Sequence, residues 1–416
     1  MKLALINIRQ LVTVSARGAR VKLGPAMRDL GIIENAAVVI DGDTIVSTGT
    51  METLSRTSLD GETDVIDCSG RVVLPGFVDT HTHLLFAGNR EEEFARRSAG
   101  ATYQQIAAEG GGILTTVRAV RETSKKDLKK HARRHLSAMM RHGTTTVEIK
   151  SGYGLDMTAE IKMLEAINEL NAEEIIGIVA TFLGAHAVPP EYANKKSAYV
   201  DEILQRMIPY VGEKQLASFC DVFCEQSYFT LDESRAILTQ AKHFKMLPKI
   251  HADELTPTGG ALLAAEVGAV SADHLEHVTE EGITALARAG TVAVLLPGVS
   301  FFLNHRYAPA RALIDGGVPV AIATDFNPGS CMSYNMPLMM TIACTHMQMT
   351  PEEVITASTL NAAAAINASH EIGSIEQGKK ADMIVLNIPN YKYLPYHFGE
   401  NHVEKVVKNG TVLEVN

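Results

Sequence analysis

The central part of the chain alternates short apolar segments with longer amphipathic ones, and this alternation strongly limits how the chain can fold. Helical segments such as Ala159–Leu170 and Leu231–Phe244 lie between most of the apolar segments. The eight predicted strands are Val72–Asp79, Thr145–Lys150, Ile175–Leu183, Ser218–Phe223, Leu247–His251, Ala269–His274, Thr291–Leu296 and Val318–Thr324. This order predicts an α/β fold, a (β/α)8 TIM-type barrel with insertions, and a doubly wound open sheet is the alternative.

Both ends of the chain differ from the middle, because short strand-like segments there are separated by turn formers such as Asp41-Gly42-Asp43. The predicted strands at the two ends are Leu3–Ile8, Ala37–Ile40, Thr44–Thr48, Asp64–Asp67, Arg71–Leu74, Met383–Leu386, Val403–Lys408 and Thr411–Val415. They predict a small β-sandwich domain built from both chain termini. We therefore expect a composite small domain of residues 1–71 and 373–416 and a barrel of residues 72–372.

The charge and the cysteine content limit which binding partners and which cellular compartment fit this chain. The chain has 38 Lys and Arg against 48 Asp and Glu, a net charge of −10, which argues against nucleic acid or an anionic membrane as the main partner. A small anionic substrate is compatible, because one local arginine can bind it. No apolar stretch approaches the roughly 18–20 residues that span a bilayer, and Asn7 and Arg9 interrupt the N-terminal apolar run. Five sparse cysteines fit a reduced cytoplasmic setting.

The strongest local motif is Pro75-Gly-Phe-Val-Asp79-Thr-His81-Thr-His83, which ends the first predicted barrel strand. Residues two apart on a strand point the same way, so His81 and His83 can reach one metal ion. Other polar side chains also follow barrel strands, and these are His251, Glu254, His274 and Asp325. The C-terminal ends of barrel strands meet at one face, so we expect these groups to converge there.

Three histidines and one carboxylate form a donor set suited to zinc or iron. A divalent ion lowers the pKa of a bound water molecule to roughly 7 and polarises a carbonyl oxygen. A carboxylate and a non-ligating histidine beside the ion can move a proton from water to a leaving nitrogen. The pattern therefore predicts a metal-dependent hydrolase.

These motifs together resemble the amidohydrolase superfamily, whose members have a (β/α)8 barrel and a small β domain made from both chain ends. Within it, the chain is similar to the imidazolonepropionase family over nearly its whole length. The segments that carry this resemblance are Thr82-His83-Leu-Leu-Phe86-Ala-Gly-Asn89-Arg90, Gly110-Gly-Gly112, Glu148-Ile-Lys-Ser-Gly-Tyr153-Gly-Leu155, Gly184-Ala-His186-Ala, Phe223-Cys-Glu225, Ser271-Ala-Asp-His-Leu275 and Asp325-Phe-Asn327-Pro-Gly329-Ser330. The resemblance implies hydrolysis of the cyclic amide of 4-imidazolone-5-propanoate to N-formimidoyl-L-glutamate in histidine degradation.

The resemblance also implies site roles, a homodimer, and one divalent ion per subunit, Zn²⁺ or Fe²⁺/Fe³⁺. The implied metal ligands are His81, His83, His251 and Asp325. The implied catalytic residues are Glu254, His274 and Asp325. The implied substrate contacts are Arg90, Tyr103, Tyr153, His186, Glu254, Asn327, Gly329 and Ser330.

Several of these residues have a second interpretation. Arg90 can grip a substrate carboxylate through two parallel hydrogen bonds, or pair with the glutamates that follow it. Tyr153 can bind substrate or pack, and the residues 327–330 form a turn whose donors can also bind an anion. Binuclear relatives carry a carbamylated lysine at the end of the fourth strand. Here that strand ends in Phe223-Cys224-Glu225, so we expect a single ion and a supporting role for Lys150.

Two other functions fit the same fold. One is a different amidohydrolase, such as a heterocyclic aminohydrolase. The other is a non-catalytic binding or scaffold protein on the same barrel. The complete set of ligand residues and the retained Glu254 and His274 argue against the second.

Overall fold

The computed structural model describes residues 2–54, 63–101, 105 and 110–415. Its strands are β1 (Lys2–Val12), β2 (Ile32–Asp41), β3 (Thr44–Thr50), β4 (Asp64–Asp67), β5 (Val72–Pro75), β6 (Phe77–Asp79), β7 (Thr144–Lys150), β8 (Gly177–Ala185), β9 (Phe219–Cys224), β10 (Leu247–Ala252), β11 (Ser271–His274), β12 (Val292–Leu295), β13 (Val320–Ile322), β14 (Met383–Leu386), β15 (Val403–Lys408) and β16 (Thr411–Glu414). They form two separate sheets.

The larger structural unit is a barrel. Strands β6 to β13 pair in chain order as one eight-stranded sheet, and the pairs are parallel. Its first and last strands are joined just beyond their C-terminal ends. There the Asp325 N–H donates to the His81 carbonyl (2.9 Å) and the His83 N–H donates to the Phe326 carbonyl (3.1 Å). The predicted (β/α)8 barrel is confirmed, and the open sheet is wrong.

The first predicted barrel strand is two strands in the structure. Val72–Pro75 belongs to the small sheet, and Phe77–Asp79 begins the barrel. The chain passes from one sheet to the other at Gly76, where any Cβ would clash with the Thr145 side chain. A glycine is therefore required at this close approach. The division of the chain into domains at residues 72 and 372 stays a prediction.

The last barrel strand, β13, is shorter than the predicted Val318–Thr324. At its end the Asp79 side chain, and not the backbone of a neighbouring strand, accepts the hydrogen bond of the Thr324 N–H. The Thr324 N–H donates to the Asp79 carboxylate (3.1 Å), and the Thr324 hydroxyl does so as well (2.6 Å). Asp79 is fully buried, and burial raises the pKa of its carboxyl to about 7. This contact ties the last strand to the first and places Asp325 beside His81.

The small sheet combines strands from both termini in the order β16-β15-β14-β5-β1-β2-β3, with β4 beside β1. Strands from opposite ends of the chain pair directly, as in Val73 with Val385. One apolar cluster contains side chains from both ends of this sheet, including Val38, Ile45 and Val407. The sheet therefore folds over its own core, and the small β domain built from both termini is confirmed.

The helices surround the barrel and fill most of its strand connections. They are α1 (Met51–Leu54), α2 (Glu91–Ser98), α3 (Ile113–Glu122), α4 (Lys125–Arg141), α5 (Met157–Glu173), α6 (Lys196–Glu202), α7 (Ile208–Glu213), α8 (Leu231–His243), α9 (Gly260–Val267), α10 (Glu280–Ala289), α11 (Pro297–Leu303), α12 (Ala310–Asp315), α13 (Met336–His346), α14 (Pro351–Ser358), α15 (Leu360–Ala365) and α16 (Tyr393–Tyr396), with short 3₁₀ turns at Gly24–Arg28 and Pro190–Tyr192 and a π turn at Ile203–Met207.

The two helices predicted from the sequence are confirmed: Ala159–Leu170 lies within α5, and α8 begins at the predicted Leu231 and ends one residue before Phe244. Helix α8 begins where Thr230 and Glu233 form a reciprocal capping box, which satisfies amides at the first turn. Within the described residues, no helix combines the length and apolar character needed to cross a membrane.

Candidate active site

A cavity of about 420 Å³ opens at the C-terminal ends of the barrel strands. Most of the predicted site residues line it, namely His83, Arg90, Tyr153, His186, His251, Glu254, His274, Asp325, Asn327, Gly329 and Ser330. His81 is completely buried and in ring contact with His83 and His251. Tyr103, the remaining predicted contact, lies outside the described residues. Barrel closure therefore brings these distant parts of the sequence together.

Two overlapping groups of buried side chains hold possible ligand atoms within 4.8 Å of one another. One group is His81, His83 and Asp325, and the other is His81, His251 and His274. Asp325 Oδ1 lies 3.4 Å from His81 Nε2 and 3.5 Å from His83 Nε2. The ring centroids of His81 and His251 are 4.5 Å apart. The four residues predicted as ligands are thus adjacent, and His274 lies beside them.

The chemistry of this cluster fits a divalent metal ion. His81 Nε2, His251 Nε2 and Asp325 Oδ1 are buried, and none has a hydrogen-bond partner within the described part of the chain. Burying polar atoms without partners costs free energy, so unpartnered atoms this close together indicate a bound group. Imidazole nitrogens and a carboxylate oxygen are donors that zinc and iron accept.

Two buried carboxylates, for which no role was predicted from the sequence, lie beside the Nδ1 atoms of His81 and His251. His81 Nδ1 lies 2.7 Å from Asp273 Oδ2, and His251 Nδ1 lies 3.0 Å from Asp221 Oδ2. A carboxylate beside Nδ1 favours the tautomer that leaves Nε2 free for an ion. The available signal was an acidic residue inside an apolar strand, as in Phe219–Cys224 around Asp221.

A fully buried group of charges lies next to these carboxylates. Lys150 Nζ is 2.8 Å from Asp221 Oδ2, 3.0 Å from Glu148 Oε1 and 3.5 Å from Asp273 Oδ2. Burial alone would lower the pKa of Lys150, but these three carboxylates outweigh it and raise the pKa above its ordinary value. Lys150 therefore stays charged, and it contacts both carboxylates that lie beside the predicted metal ligands His81 and His251. Its contacts are those of a supporting residue.

Replacing Lys150 by methionine is expected to lower the free energy of unfolding by about 3–5 kcal/mol, because the buried Asp221 carboxylate loses its lysine partner. Glu148 and Asp273 keep a second buried cation, since Lys249 Nζ lies 3.1 Å from Glu148 Oε1 and 3.9 Å from Asp273 Oδ2. Urea denaturation measures this change. Lys126→Met on the exposed side of α4 is the matched control and should change stability by less than about 0.5 kcal/mol. Equal stability of the two variants would contradict the structural importance of the buried charges.

Glu254 and His274 form a second pair at the site. Glu254 Oε2 lies 3.5 Å from His274 Nε2, and His274 Nδ1 lies 3.6 Å from Glu276 Oε2. Burial raises the pKa of Glu254 to about 7. Burial would lower the pKa of His274, but the Glu254 and Glu276 carboxylates outweigh it and raise that pKa to about 10. Near neutral pH His274 therefore keeps its proton while Glu254 is partly ionised, so the pair offers one proton donor and one proton acceptor.

The backbone at His274 has a left-handed conformation, with φ of 79°, and Leu275 follows with φ of 69°. A non-glycine residue in this region costs free energy, which functional sites commonly bear. In a regular strand, neighbours such as Asp273 and His274 point to opposite faces. The left-handed turn ends this alternation, so that Asp273 reaches His81 while His274 reaches Glu254.

His186 and Tyr153 form part of the cavity wall beside His83. The His186 ring stacks on His83 with centroids 4.8 Å apart, and Tyr153 lies 5.5 Å from His186. His186 Nδ1 is 3.0 Å from the Gly152 carbonyl, and burial lowers the pKa of His186 to about 3. The ring is therefore neutral with its proton on Nδ1, which leaves Nε2 as a hydrogen-bond acceptor.

Both sequence-based interpretations of Arg90 agree with its position. Its Nε donates to Glu93 Oε2 (2.8 Å), while its side chain also lines the cavity. A Cβ at Gly329 would overlap the Arg90 guanidinium. Gly329 is thus needed to let the arginine approach the 327–330 turn.

The 327–330 turn holds Asp325 in place. Asn327 Nδ2 and the Ser330 hydroxyl donate to Asp325 Oδ2 at 3.0 and 3.2 Å, which leaves Oδ1 facing the histidines. Asn327 Oδ1 accepts from the N–H groups of Gly329 (2.7 Å) and Ser330 (2.9 Å). From the sequence, these two amides are expected to be free to bind an anion. In the structure both already donate to Asn327 Oδ1 within the turn. Substrate contact by Asn327, Gly329 and Ser330 stays a prediction.

The sequence did not predict four further residues of the cavity wall, because none of them stands in a motif of polar residues. Phe223, Tyr228, Leu303 and His305 line the cavity, and the rings of Phe223 and Tyr228 are 4.3 Å apart. An aromatic wall of this kind suits a flat ring.

The sequence profile described as the amidohydrolase family matches residues 72–414. The chain therefore belongs to the amidohydrolase family, as its motifs predicted. This membership defines it as a metal-dependent hydrolase that acts on C–N bonds.

Curated relatives specify the class further. The chain is 50% identical over 407 residues to imidazolonepropionase of Geobacillus kaustophilus (strain HTA426), covering 97% of this chain and 96% of the relative. It is 46% identical over 409 residues to imidazolonepropionase of Parabacteroides distasonis, covering 98% of each. The predicted resemblance to the imidazolonepropionase family is confirmed.

Solved structures support the fold. Guanine deaminase of E. coli superposes with a TM-score of 0.76 at 14% identity, covering 100% of both chains. An adenosine deaminase from Xanthomonas campestris with bound zinc superposes with a TM-score of 0.74 at 18% identity, covering 99% of this chain and 93% of that one. At such identities the likeness shows the shared barrel and small sheet alone.

Proposed function

We propose that this chain hydrolyses the cyclic amide C–N bond of 4-imidazolone-5-propanoate to N-formimidoyl-L-glutamate, a step of histidine degradation. The observation that carries the proposal is the cluster of His81, His83, His251 and Asp325. The last three line a cavity with an arginine in its wall, and His81 lies buried directly behind them. The substrate follows from relatives named imidazolonepropionase that are 46–50% identical over nearly the whole chain.

His81, His83, His251 and Asp325 would hold one divalent ion, zinc or iron, which would supply a Lewis acid and lower the pKa of a bound water molecule. Glu254 takes a proton from the attacking water. His274, in contact with Glu254, delivers a proton to the ring nitrogen as the C–N bond breaks. The oxygen of water ends on the former carbonyl carbon, and the leaving amidine nitrogen gains a proton, so the atoms balance.

The remaining wall residues bind and orient the substrate. Arg90 grips the propanoate carboxylate, because a guanidinium matches a carboxylate with two parallel donors. His186 and Tyr153 contact the ring, and the neutral Nε2 of His186 accepts a hydrogen bond from a ring N–H. Fixing both ends of a small substrate gives it one orientation toward the ion.

Arg90→Lys is expected to raise KM by about tenfold or more while changing kcat by only a few-fold, since the lysine loses the two-donor geometry. Steady-state kinetics on imidazolonepropionate measure both constants. Arg134→Lys on the exposed side of α4 is the control and should match the wild type. An unchanged KM in Arg90→Lys would remove Arg90 from the tail-binding role.

The direct test follows the loss of imidazolone absorbance by purified protein with and without a chelator, and identifies the product by mass spectrometry. We expect turnover that the chelator abolishes and that added zinc or iron restores, and metal analysis then identifies the native ion. Ammonia release from heterocyclic amines, without turnover of imidazolonepropionate, would favour an aminohydrolase. Ligand binding without metal and without turnover would favour a binding or scaffold protein.

We also propose that the enzyme is a cytoplasmic homodimer with no nucleic-acid or membrane partner. All five cysteines are free, which accords with a reducing compartment. Sedimentation velocity should give a species of twice the 45.0 kDa chain mass. A species of the single chain mass would contradict the dimer.

A further inference from the structure

The loop after β9 contains a buried carboxylate to which the proposed reaction gives no role. Glu225 is 2% exposed and belongs to neither the metal cluster nor the proton-handling pair. Its Oε2 accepts from the N–H groups of Leu255 (2.9 Å) and Thr256 (3.2 Å), and its Oε1 accepts from the Thr256 hydroxyl. Leu255 and Thr256 are the two residues that directly follow Glu254.

Glu225 is itself anchored in a short, well-bonded loop. Its N–H donates to the Phe229 carbonyl (3.1 Å), and its carbonyl accepts from the Tyr228 N–H (2.9 Å). The neighbouring Cys224 pairs with Phe229 across a parallel bridge. The carboxylate therefore extends from a fixed base on the fourth barrel strand to the loop after the fifth.

The other flank of Glu254 is held in a similar way. Asp253 Oδ1 accepts from the N–H groups of Gly259 (2.8 Å) and Gly260 (3.0 Å), and the Asp253 carbonyl accepts from the His277 N–H (2.8 Å). Glu254 thus lies between Asp253, whose own carboxylate binds amides at the start of α9, and Leu255–Thr256, whose amides are bound by Glu225. Such bonds to ionised groups are among the stronger ones in proteins.

We propose that Glu225 is a positioning residue, which fixes the loop after β10 so that Glu254 stays within reach of His274. The inference rests on the proton-handling role proposed for Glu254. Loss of the Glu225 carboxylate frees the amides of Leu255 and Thr256 and lets the Glu254 side chain move. A displacement of about 1 Å at a reacting group can cost on the order of a hundredfold in rate.

Glu160 provides a comparison within the same molecule. This fully buried residue on α5 accepts from the N–H groups of Gly152, Gly154 and Leu155, which surround Tyr153. A buried carboxylate that binds backbone amides therefore also holds the loop of residues 152–155, on the substrate-binding side of the cavity. Loss of the Glu225 carboxylate should therefore lower kcat, and loss of the Glu160 carboxylate should raise KM. A general loss of stability would not produce this difference between the two variants.

The test is a kinetic comparison of metal-loaded variants. Glu225→Ala is expected to lower kcat by about a hundredfold, with KM within threefold and metal content unchanged. Glu225→Gln keeps one carbonyl oxygen for the two amides and should restore kcat to within about tenfold of the wild type. Glu160→Ala should instead raise KM by about tenfold. If Glu225→Ala does not fold, Glu225→Asp has a shorter reach and should lower kcat about tenfold.

Two control variants make the result decisive. Glu353→Gln alters a buried carboxylate that caps α14 and pairs with Arg311, and it should lower stability without changing kcat or KM. Glu254→Gln tests the underlying reaction. If Glu254→Gln loses activity and Glu225→Ala keeps kcat within threefold, the positioning role is wrong. If both variants keep wild-type kcat, the proposed proton transfer fails instead.

Discussion

The His251→Ala variant is expected to lose its bound metal ion and at least about a thousandfold in kcat/KM, the largest effect we predict. A metal acting as a Lewis acid contributes several kcal/mol to transition-state stabilisation, and each 1.4 kcal/mol, roughly, is a factor of ten in rate. Removing His251 also leaves the Asp221 carboxylate without the imidazole beside it. Metal analysis by mass spectrometry, together with steady-state kinetics, measures both losses.

The matched control is His305→Ala, because His305 lines the same cavity without belonging to the ligand cluster. We expect this variant to bind metal as the wild type does. Asp325→Asn should behave like His251→Ala, since an amide oxygen is a weaker donor than the carboxylate at Oδ1. Full metal content and full activity in either ligand variant would show that the cluster does not hold the catalytic ion.

Glu254→Gln and His274→Ala are each expected to lower kcat by about 10²–10⁴-fold while leaving metal content unchanged. Both side chains act in one proton transfer, so the double variant should lose little more than the worse single variant. Rates measured with saturating substrate and stoichiometric metal test this directly. Additive losses, or kcat values within a few-fold of the wild type for both single variants, would contradict a shared proton path.

These expectations separate the roles of neighbouring imidazoles. His251 and His274 have ring centroids only 5.2 Å apart, and both come from parallel strands of the same barrel. His251 has a carboxylate beside its Nδ1, which suits a metal ligand. His274 faces the carboxylates of Glu254 and Glu276, which suits a group that carries a proton. Because of this contrast, we expect loss of His251 to remove the metal and loss of His274 to leave it bound.

Local sequence patterns predicted the parts of the site that depend on strand geometry. The spacing of His81 and His83 follows from strand alternation, and the buried strands before His251, His274 and Asp325 placed those residues at one face. The substrate-side residues Arg90, Tyr153 and His186 were found through the family resemblance, and all three line the cavity. The same signals do not reveal departures from regular backbone geometry, such as the change of sheet at Gly76 and the left-handed conformation at His274.

The sequence by itself determined the eight-fold strand and helix rhythm, the small β domain and the polar residues that end the barrel strands, because periodicity and residue type are local properties. Only the tertiary structure decided which buried carboxylate serves which side chain: Asp273 for His81, Asp221 for His251, and Glu225 for the Glu254 loop. An acidic residue in an apolar strand needs a partner, since burying an unpaired charge is costly. That partner lies on another strand and is fixed by barrel closure, which no local pattern encodes.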